Sequence, residues 1–194
     1  EETLAAHLEH EMRLLGAEGP SFETIVASGW RSALPHGVAS SKKVRTGDMI
    51  VFDFGCRWQG YCSDMSRTVC VGPPSALQRK IYGIVKKAQA AGLKVIRPGR
   101  LSGDVDLASR RIIDKAGYEK NFGHGTGHGV GREVHEDPRV GPKAKDVLRP
   151  GMAITVEPGI YLDGKFGVRI EDLAFVTRSG HENLYTTRKD LISV

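Results

Sequence analysis

The chain has 194 residues, 40% of them hydrophobic and 26% charged, enough for one domain with a substantial core and too short for two ordinary ones. Its net charge of +5 is modest, and no block of Lys and Arg is interleaved with aromatics, which argues against a nucleic-acid partner. No apolar run approaches the ~18 residues of a membrane span, and no secretory or transit segment stands at the N-terminus.

In chain order, residues 3–15 place Leu4, Leu8, Met12 and Leu15 on one helical face, and Gly16 stops the helix. Strand-like runs follow at 23–28, 49–55 and 60–71. A turn at Arg57–Gly60 joins the last two, so Asp53 and Asp64 are expected to face each other across a hairpin. Pro73-Pro74-Ser75 introduces a longer helix, with Ser75 and Gln78 in a capping-box pattern. Its stripe runs Leu77, Ile81, Val85, Ala88, Gly92 and Ile96 and ends at Pro98-Gly99. A third helix starts at Ser102, runs through Val105, Ala108, Ile112 and Ala116, and ends at Gly117. Further strand-like runs lie at 153–157, 168–170 and 173–177. Cys56, Cys62 and Cys70 are odd in number and lack the paired spacing of a zinc site. They are expected as reduced, mostly buried thiols of a cytoplasmic protein.

The two halves echo each other. Arg45-Thr-Gly-Asp-Met-Ile-Val-Phe-Asp53 lines up with Arg149-Pro-Gly-Met-Ala-Ile-Thr-Val-Glu157, and a second carboxylate follows each, Asp64 and Glu171. The helix ending at Gly16 likewise matches the one ending at Gly117. A duplicated unit folded about a pseudo-twofold would bring four carboxylates to one centre. The helix over 75–97 has no counterpart in the first half. One helix of the repeat is therefore expected to be missing from the N-terminus, and the chain to be a fragment of something longer.

Asp53 and Glu157 interrupt runs of Ile, Val, Met and Phe that read as buried strands. A naked carboxylate there would cost several kcal/mol in lost solvation unless paired or metal-bound. With Asp64, Glu171 and His128 in its glycine-dense stretch, they read as ligands of one dinuclear site, since two hard cations need bridging oxygens. One nitrogen among oxygen donors favours manganese or cobalt, with zinc as a further option. Such a pair would activate water for attack on a peptide bond. His36, His124 and His135 read as groups around that centre that bind substrate or stabilise a tetrahedral intermediate. The glycines at 123–131 do not form a phosphate-binding motif, and close approach of backbone to metal accounts for them.

These runs, together with Leu34-Pro-His36-Gly, Gly129-Val-Gly-Arg-Glu-Val-His135-Glu-Asp-Pro138 and Gly167-Val-Arg169-Ile-Glu171-Asp172, resemble the proline-specific branch of the pita-bread metallopeptidases. The resemblance implies an α+β fold with a curved, mainly antiparallel sheet and an internal pseudo-twofold. It implies one catalytic domain over 1–194, without its first helix and without the separate N-terminal domain usual in that branch, and a homodimer in the full-length protein. By position, Asp53 would hold one metal, His128 and Glu157 the other, and Asp64 and Glu171 would bridge them. Glu157 would also shuttle a proton, with His124 and His135 catalytic and His36, Tyr161 and Arg169 binding substrate. The activity implied is that of an Xaa-Pro aminopeptidase, because no arginine in the metal-site motifs is committed to a substrate carboxylate; Arg169 stands beside Glu171, and Arg132 is placed by sequence only. The alternative is an Xaa-Pro dipeptidase. A methionine aminopeptidase and a non-catalytic scaffold on the same fold are more distant readings.

Overall fold

The computed structural model describes residues 1–194. Helix α1 (Glu2–Leu14) leads through β1 (Gly19–Pro20) and β2 (Ile25–Ser28) to β3 (Met49–Phe54). A ribbon, β4 (Cys56–Trp58) and β5 (Tyr61–Cys62), precedes β6 (Met65–Cys70). Helices α2 (Ala76–Val95) and α3 (Ser102–Lys115) follow, then β7 (Gly127–Gly129), β8 (Glu136–Val140), β9 (Ala153–Val156), β10 (Gly159–Leu162), β11 (Phe166–Arg169), β12 (Asp172–Val176), β13 (His181–Asn183) and β14 (Ile192–Ser193). The larger sheets have the orders β14-β6-β3-β2 and β13-β12-β9-β7-β8, with β1-β4-β5 and β10-β11 as smaller ribbons. All pairings are antiparallel except β14 with β6. This is the expected α+β, mainly antiparallel architecture.

The internal twofold is written in matching hydrogen bonds. The Gly47 N–H donates to Val71 O (2.7 Å), and the Val71 N–H to Asp48 O (2.9 Å). In the second half the Gly151 N–H donates to Val176 O (2.9 Å), and the Val176 N–H to Met152 O (2.8 Å). Gly47 and Gly151 both take left-handed φ, +91° and +96°, a conformation that costs a glycine nothing. Thus β2, β3 and β6 correspond to β7, β9 and β12, and α1 to α3.

The capping box of α2 forms as the sequence predicts, with Ser75 Oγ accepting from the Gln78 N–H and Gln78 Oε1 from the Ser75 N–H. Its apolar side joins two cores. Ile81, Val85 and Ala88 pack with Ile113, Ile160, Val168 and Ile170; Leu93 and Ile96 pack with Val105, Leu148, Ile154, Val156, Ala174 and Val176. The matched first-half positions Val44, Ile50, Phe52, Val69 and Val71, with Leu4, line an open apolar groove. Helix α1 is present, but its expected stripe is not buried: Leu15 is 86% exposed and only Ala5 is buried. The reason is that α3 packs on α2, whereas α1 has no such neighbour within residues 1–194.

The strand run at 60–71 is broken. The tight turn at Gln59 and Gly60 closes β4 on β5, Asp53 lies opposite Ser66 in the β3–β6 pairing, and Asp64 sits just before β6. The two acids therefore meet where the ribbon leaves the sheet and not as a directly paired couple.

Candidate metal centre

Sheet geometry brings the candidate ligands together. Asp53 is the penultimate residue of β3 and Glu157 follows β9, its twofold counterpart; Asp64 and Glu171 immediately precede β6 and β12; His128 is the central residue of β7. All five line one cleft of about 370 Å³, together with His36, His124, His135 and Arg169.

The second half's strands carry the imidazole to the carboxylates. His128 Nδ1 faces the Gly129 carbonyl at 3.0 Å, which requires a proton on Nδ1 and leaves the Nε2 lone pair free. That lone pair points at Asp64 Oδ2 and Glu157 Oε1, each 3.5 Å away. One donor atom each from Asp64, His128 and Glu171 lies within 4.8 Å of the others. Asp53 Oδ1 and Glu171 Oε1 are buried without any hydrogen-bond partner. Native proteins rarely leave such atoms unsatisfied. A neutral nitrogen and several carboxylate oxygens converging, two of them orphaned, is a donor set that fits cations. Their chemistry suits hard divalent ions.

Electrostatics agree. Burial, then the charges of Asp53 and Glu157, pushes the Asp64 carboxyl up to about 9. Burial pushes Glu157 up to about 8, Asp53 adding to the effect and Arg169 opposing it. Glu171 is held well above the ordinary carboxylate range by burial and by Asp64, Glu157 and Asp53. Burial lowers His128. Without cations the cluster cannot ionise fully, so binding metal must release protons.

A surrounding layer orients the ligands. Ser66 Oγ donates to Glu171 Oε2 (2.8 Å) and accepts from Arg169 Nε (2.8 Å). Thr155 Oγ1 accepts the His128 N–H at 3.0 Å. The Tyr185 hydroxyl donates to Asp64 O (2.8 Å) and accepts the Asp64 N–H (3.2 Å). Arg67 donates to the Glu171 carbonyl and to Asp172. Strand alternation offered a signal for Ser66 and Thr155, each two residues from a ligand on the same strand face; Tyr185 lies in the C-terminal tail and carried none.

The residues expected to contact substrate differ in what they touch. Arg169 lines the cleft but is 3% exposed, with its guanidinium committed to Asp53 Oδ2 (2.5 Å), Ser66, Tyr161 and the Pro35 carbonyl. Four of its five N–H donors are taken in this way, which suits it to holding Asp53 in place more than to binding substrate. Tyr161 does not line the cleft; its hydroxyl is bonded to Arg169 (3.0 Å) and to His124 Nε2 (2.8 Å). His124 faces the cleft, but Nδ1 is held by the Gly125 carbonyl (2.7 Å) and Nε2 by Tyr161. Burial lowers its pKa to about 4, which keeps the ring neutral. Only His36 and His135 reach the cleft as exposed rings, His135 packed edge-on against His128 at 4.3 Å between centroids. Arg132 lies in a separate hollow with Arg57. Two of the glycines are needed for strand packing: a Cβ on Gly127 would lie 2.1 Å from Thr155 O, and one on Gly129 2.3 Å from Asp137 O.

Sequence reading missed Arg139 altogether. A second hollow of about 960 Å³ shares Gly125, Gly127, His128 and His135 with the cleft and is lined by Arg139 and Lys143. The ion pairs elsewhere in the molecule engage neither cation.

Comparison with known proteins identifies the family. Metallopeptidase family M24 matches residues 1–178. The chain is 48% identical over 192 residues to the Xaa-Pro dipeptidase of Pyrococcus horikoshii, covering 99% of this chain and 55% of that protein. Among solved structures, the Xaa-Pro dipeptidase from Bacillus anthracis superposes with a TM-score of 0.98 at 49% identity, over 100% of this chain and 55% of that one. The X-Pro aminopeptidase from Thermotoga maritima gives 0.97 at 46% identity, over 100% and 55%. The chain thus spans about half the length of the relatives it matches. Twofold-related carboxylates, an oriented histidine and a family match over most of the chain lead to one assignment: it belongs to metallopeptidase family M24 and has the family's pita-bread fold.

Proposed function

We propose that this chain is the catalytic unit of a dinuclear metallopeptidase that hydrolyses the bond before proline, with an Xaa-Pro dipeptide as substrate. The observation that carries the metal chemistry is the pair of orphaned carboxylate oxygens on Asp53 and Glu171. In this reading Asp53 would help to hold one cation and His128 and Glu157 the other, with Asp64 and Glu171 shared between them. The bound ions, manganese or cobalt by the donor set, supply an activated water and polarise the scissile carbonyl. Glu157 would accept a proton from the attacking water and return it to the leaving proline nitrogen. His135 and His36, whose rings are free, donate to the carbonyl oxygen and hold the substrate's backbone. Arg169, Tyr161 and His124 keep Asp53 and the cleft wall in place.

Dipeptide specificity is favoured over the aminopeptidase reading by the relatives' names and by Arg139 and Lys143, cations able to pair with a proline carboxylate. The aminopeptidase reading keeps the support of the Thermotoga structure, so named. The test compares Ala-Pro with Ala-Pro-Ala on the full-length, manganese-loaded protein. Cleavage of Ala-Pro with Ala-Pro-Ala left intact is expected, and Arg139→Ala should raise KM for Ala-Pro. Hydrolysis of the tripeptide alone would overturn the dipeptide reading. We also propose a cytoplasmic setting, in keeping with three free thiols and no helix long and apolar enough to cross a membrane. A homodimer, and a preceding helix that fills the groove at Val44, Ile50 and Val69, belong to the same reading of the full-length protein.

A further inference from the structure

Helix α3 carries an ion pair that does not line the cleft yet holds the backbone on which two of its residues depend. Asp106 is 2% exposed and accepts from Arg110 Nε (3.0 Å) and Nη2 (2.9 Å). Arg110 Nη1 also donates to the Phe122 carbonyl (3.0 Å) and Nη2 to the His124 carbonyl (2.8 Å). Its guanidinium lies 4.2 Å from the centre of the Phe122 ring. Asp106 Oδ1 in turn accepts the N–H (3.1 Å) and the hydroxyl (2.9 Å) of Thr126.

Each pinned residue leads into the site. The Thr126 carbonyl accepts the Glu157 N–H at 2.7 Å. The His124 ring bonds to the Tyr161 hydroxyl, which meets Arg169, which pairs with Asp53. The stretch from Phe122 to Gly127 has glycine at every second position and therefore little stiffness of its own. A Cβ at Gly123 would touch nothing, so neighbouring atoms do not wedge the loop there. At that end the loop is held by Arg110 through the Phe122 and His124 carbonyls, while Gly127 closes on Thr155.

We infer that Asp106 and Arg110 are positioning residues for His124 and Glu157: one buried ion pair sets the loop that carries the histidine and the strand end that carries the carboxylate. A guanidinium is suited to this, because its planar fork makes four bonds at once, two to the acid and one to each carbonyl, whereas an ammonium has three donors and no fixed fork. The effect on turnover rests on the peptidase reading above; the effect on loop and ligand geometry does not.

The test uses Arg110→Gln, Arg110→Lys and Thr126→Val, the last removing only a hydroxyl bond to Asp106. Three readouts apply: calorimetric titration with manganese, the imidazole nitrogen signals of His124 in the metal-free protein, and steady-state kinetics on Ala-Pro. Arg110→Gln should displace the His124 signals, weaken manganese binding about tenfold, and lower kcat about 100-fold with KM nearly unchanged. Arg110→Lys should restore thermal stability but not kcat, since a purely structural charge would be replaced by lysine and the fork would not. Thr126→Val should weaken manganese binding in the same direction, and it keeps the test open if Arg110→Gln does not fold. Wild-type His124 signals and manganese affinity in folded Arg110→Gln or Thr126→Val, or full kcat in Arg110→Lys, would overturn the inference. If the wild-type protein leaves Xaa-Pro peptides intact while the substitutions still move His124 and manganese affinity, the substrate reading falls and the positioning role stands.

Discussion

Replacing Asp172 should be among the most damaging single changes in the molecule, although this residue touches neither the cleft nor any proposed ligand side chain. It is fully buried and accepts from Arg67 (2.7 Å), Gln89 (2.9 Å), Asn183 (2.7 Å) and Lys189. Burial alone would raise its pKa, but the bonds from Lys189, Arg67 and Asn183 outweigh it and hold the carboxyl below its ordinary value. Asp172→Ala strands Arg67, whose side chain is 10% exposed, and releases Lys189, 23% exposed, which can partly rehydrate. Breaking a buried pair costs about 3–5 kcal/mol, against a total stability of about 5–15 kcal/mol. With a urea m-value of about 2–3 kcal/mol/M, the unfolding midpoint should fall by about 1–2 M. Asp172→Asn, which keeps the shape and one acceptor, should lose less. Because the folded carboxyl titrates lower than the unfolded one, this contribution is present above the unfolded pKa near 4 and is lost as pH falls through the folded value. Arg67 also holds the Glu171 carbonyl, so manganese affinity should drop with stability. Urea melts of the metal-free proteins decide the matter. A midpoint shift corresponding to less than about 1 kcal/mol, the median worth of an exposed ion pair, would refute the reasoning.

Three further outcomes are expected. In metal-free protein the folded state keeps protons on Asp64 to about 9 and on Glu157 to about 8, so these groups destabilise it as pH rises from about 4. The gap in Tm between manganese-loaded and chelated protein should therefore widen from about pH 5 to pH 8; a flat or narrowing gap in thermal melts would contradict this. Gly127→Ala would force a Cβ to 2.1 Å from Thr155 O, displacing His128 and lowering metal content, which elemental analysis would detect; full occupancy would show that the strand can give way. His135→Ala should lower turnover by about 3–4 kcal/mol in activation free energy, a few hundredfold, at unchanged metal content. Normal turnover would leave His135 as a packing partner of His128.

Asp53 and Glu157 were legible because each breaks an apolar run that has no other use for a charge, as Asp53 does after Met49-Ile-Val-Phe52, and Asp64 and Glu171 because the repeat places a second acid after each. The repeat was legible because Gly47 and Gly151 are demanded by backbone geometry. Strand β7 was not: Gly-His-Gly has no strand propensity and forms because missing Cβ atoms let it close on Thr155 and Asp137. The commitments of Arg169 and His124 were equally hidden, since they depend on Tyr161 and Ser66 arriving from other elements. A sequence shows a donor, not whether a neighbour has already taken it.

The twofold distributes the centre across the molecule: Asp53 and Asp64 come from the first half, His128, Glu157 and Glu171 from the second, and Arg169 ties the two at Asp53. Neither half alone presents the full donor set. During synthesis on a ribosome, the emerging first half offers two carboxylates and no imidazole, too little to capture an ion tightly. If the proposed ligands hold metal, capture of both ions would wait until Glu171 has emerged and the halves have closed on each other, so loading would report that both halves have folded.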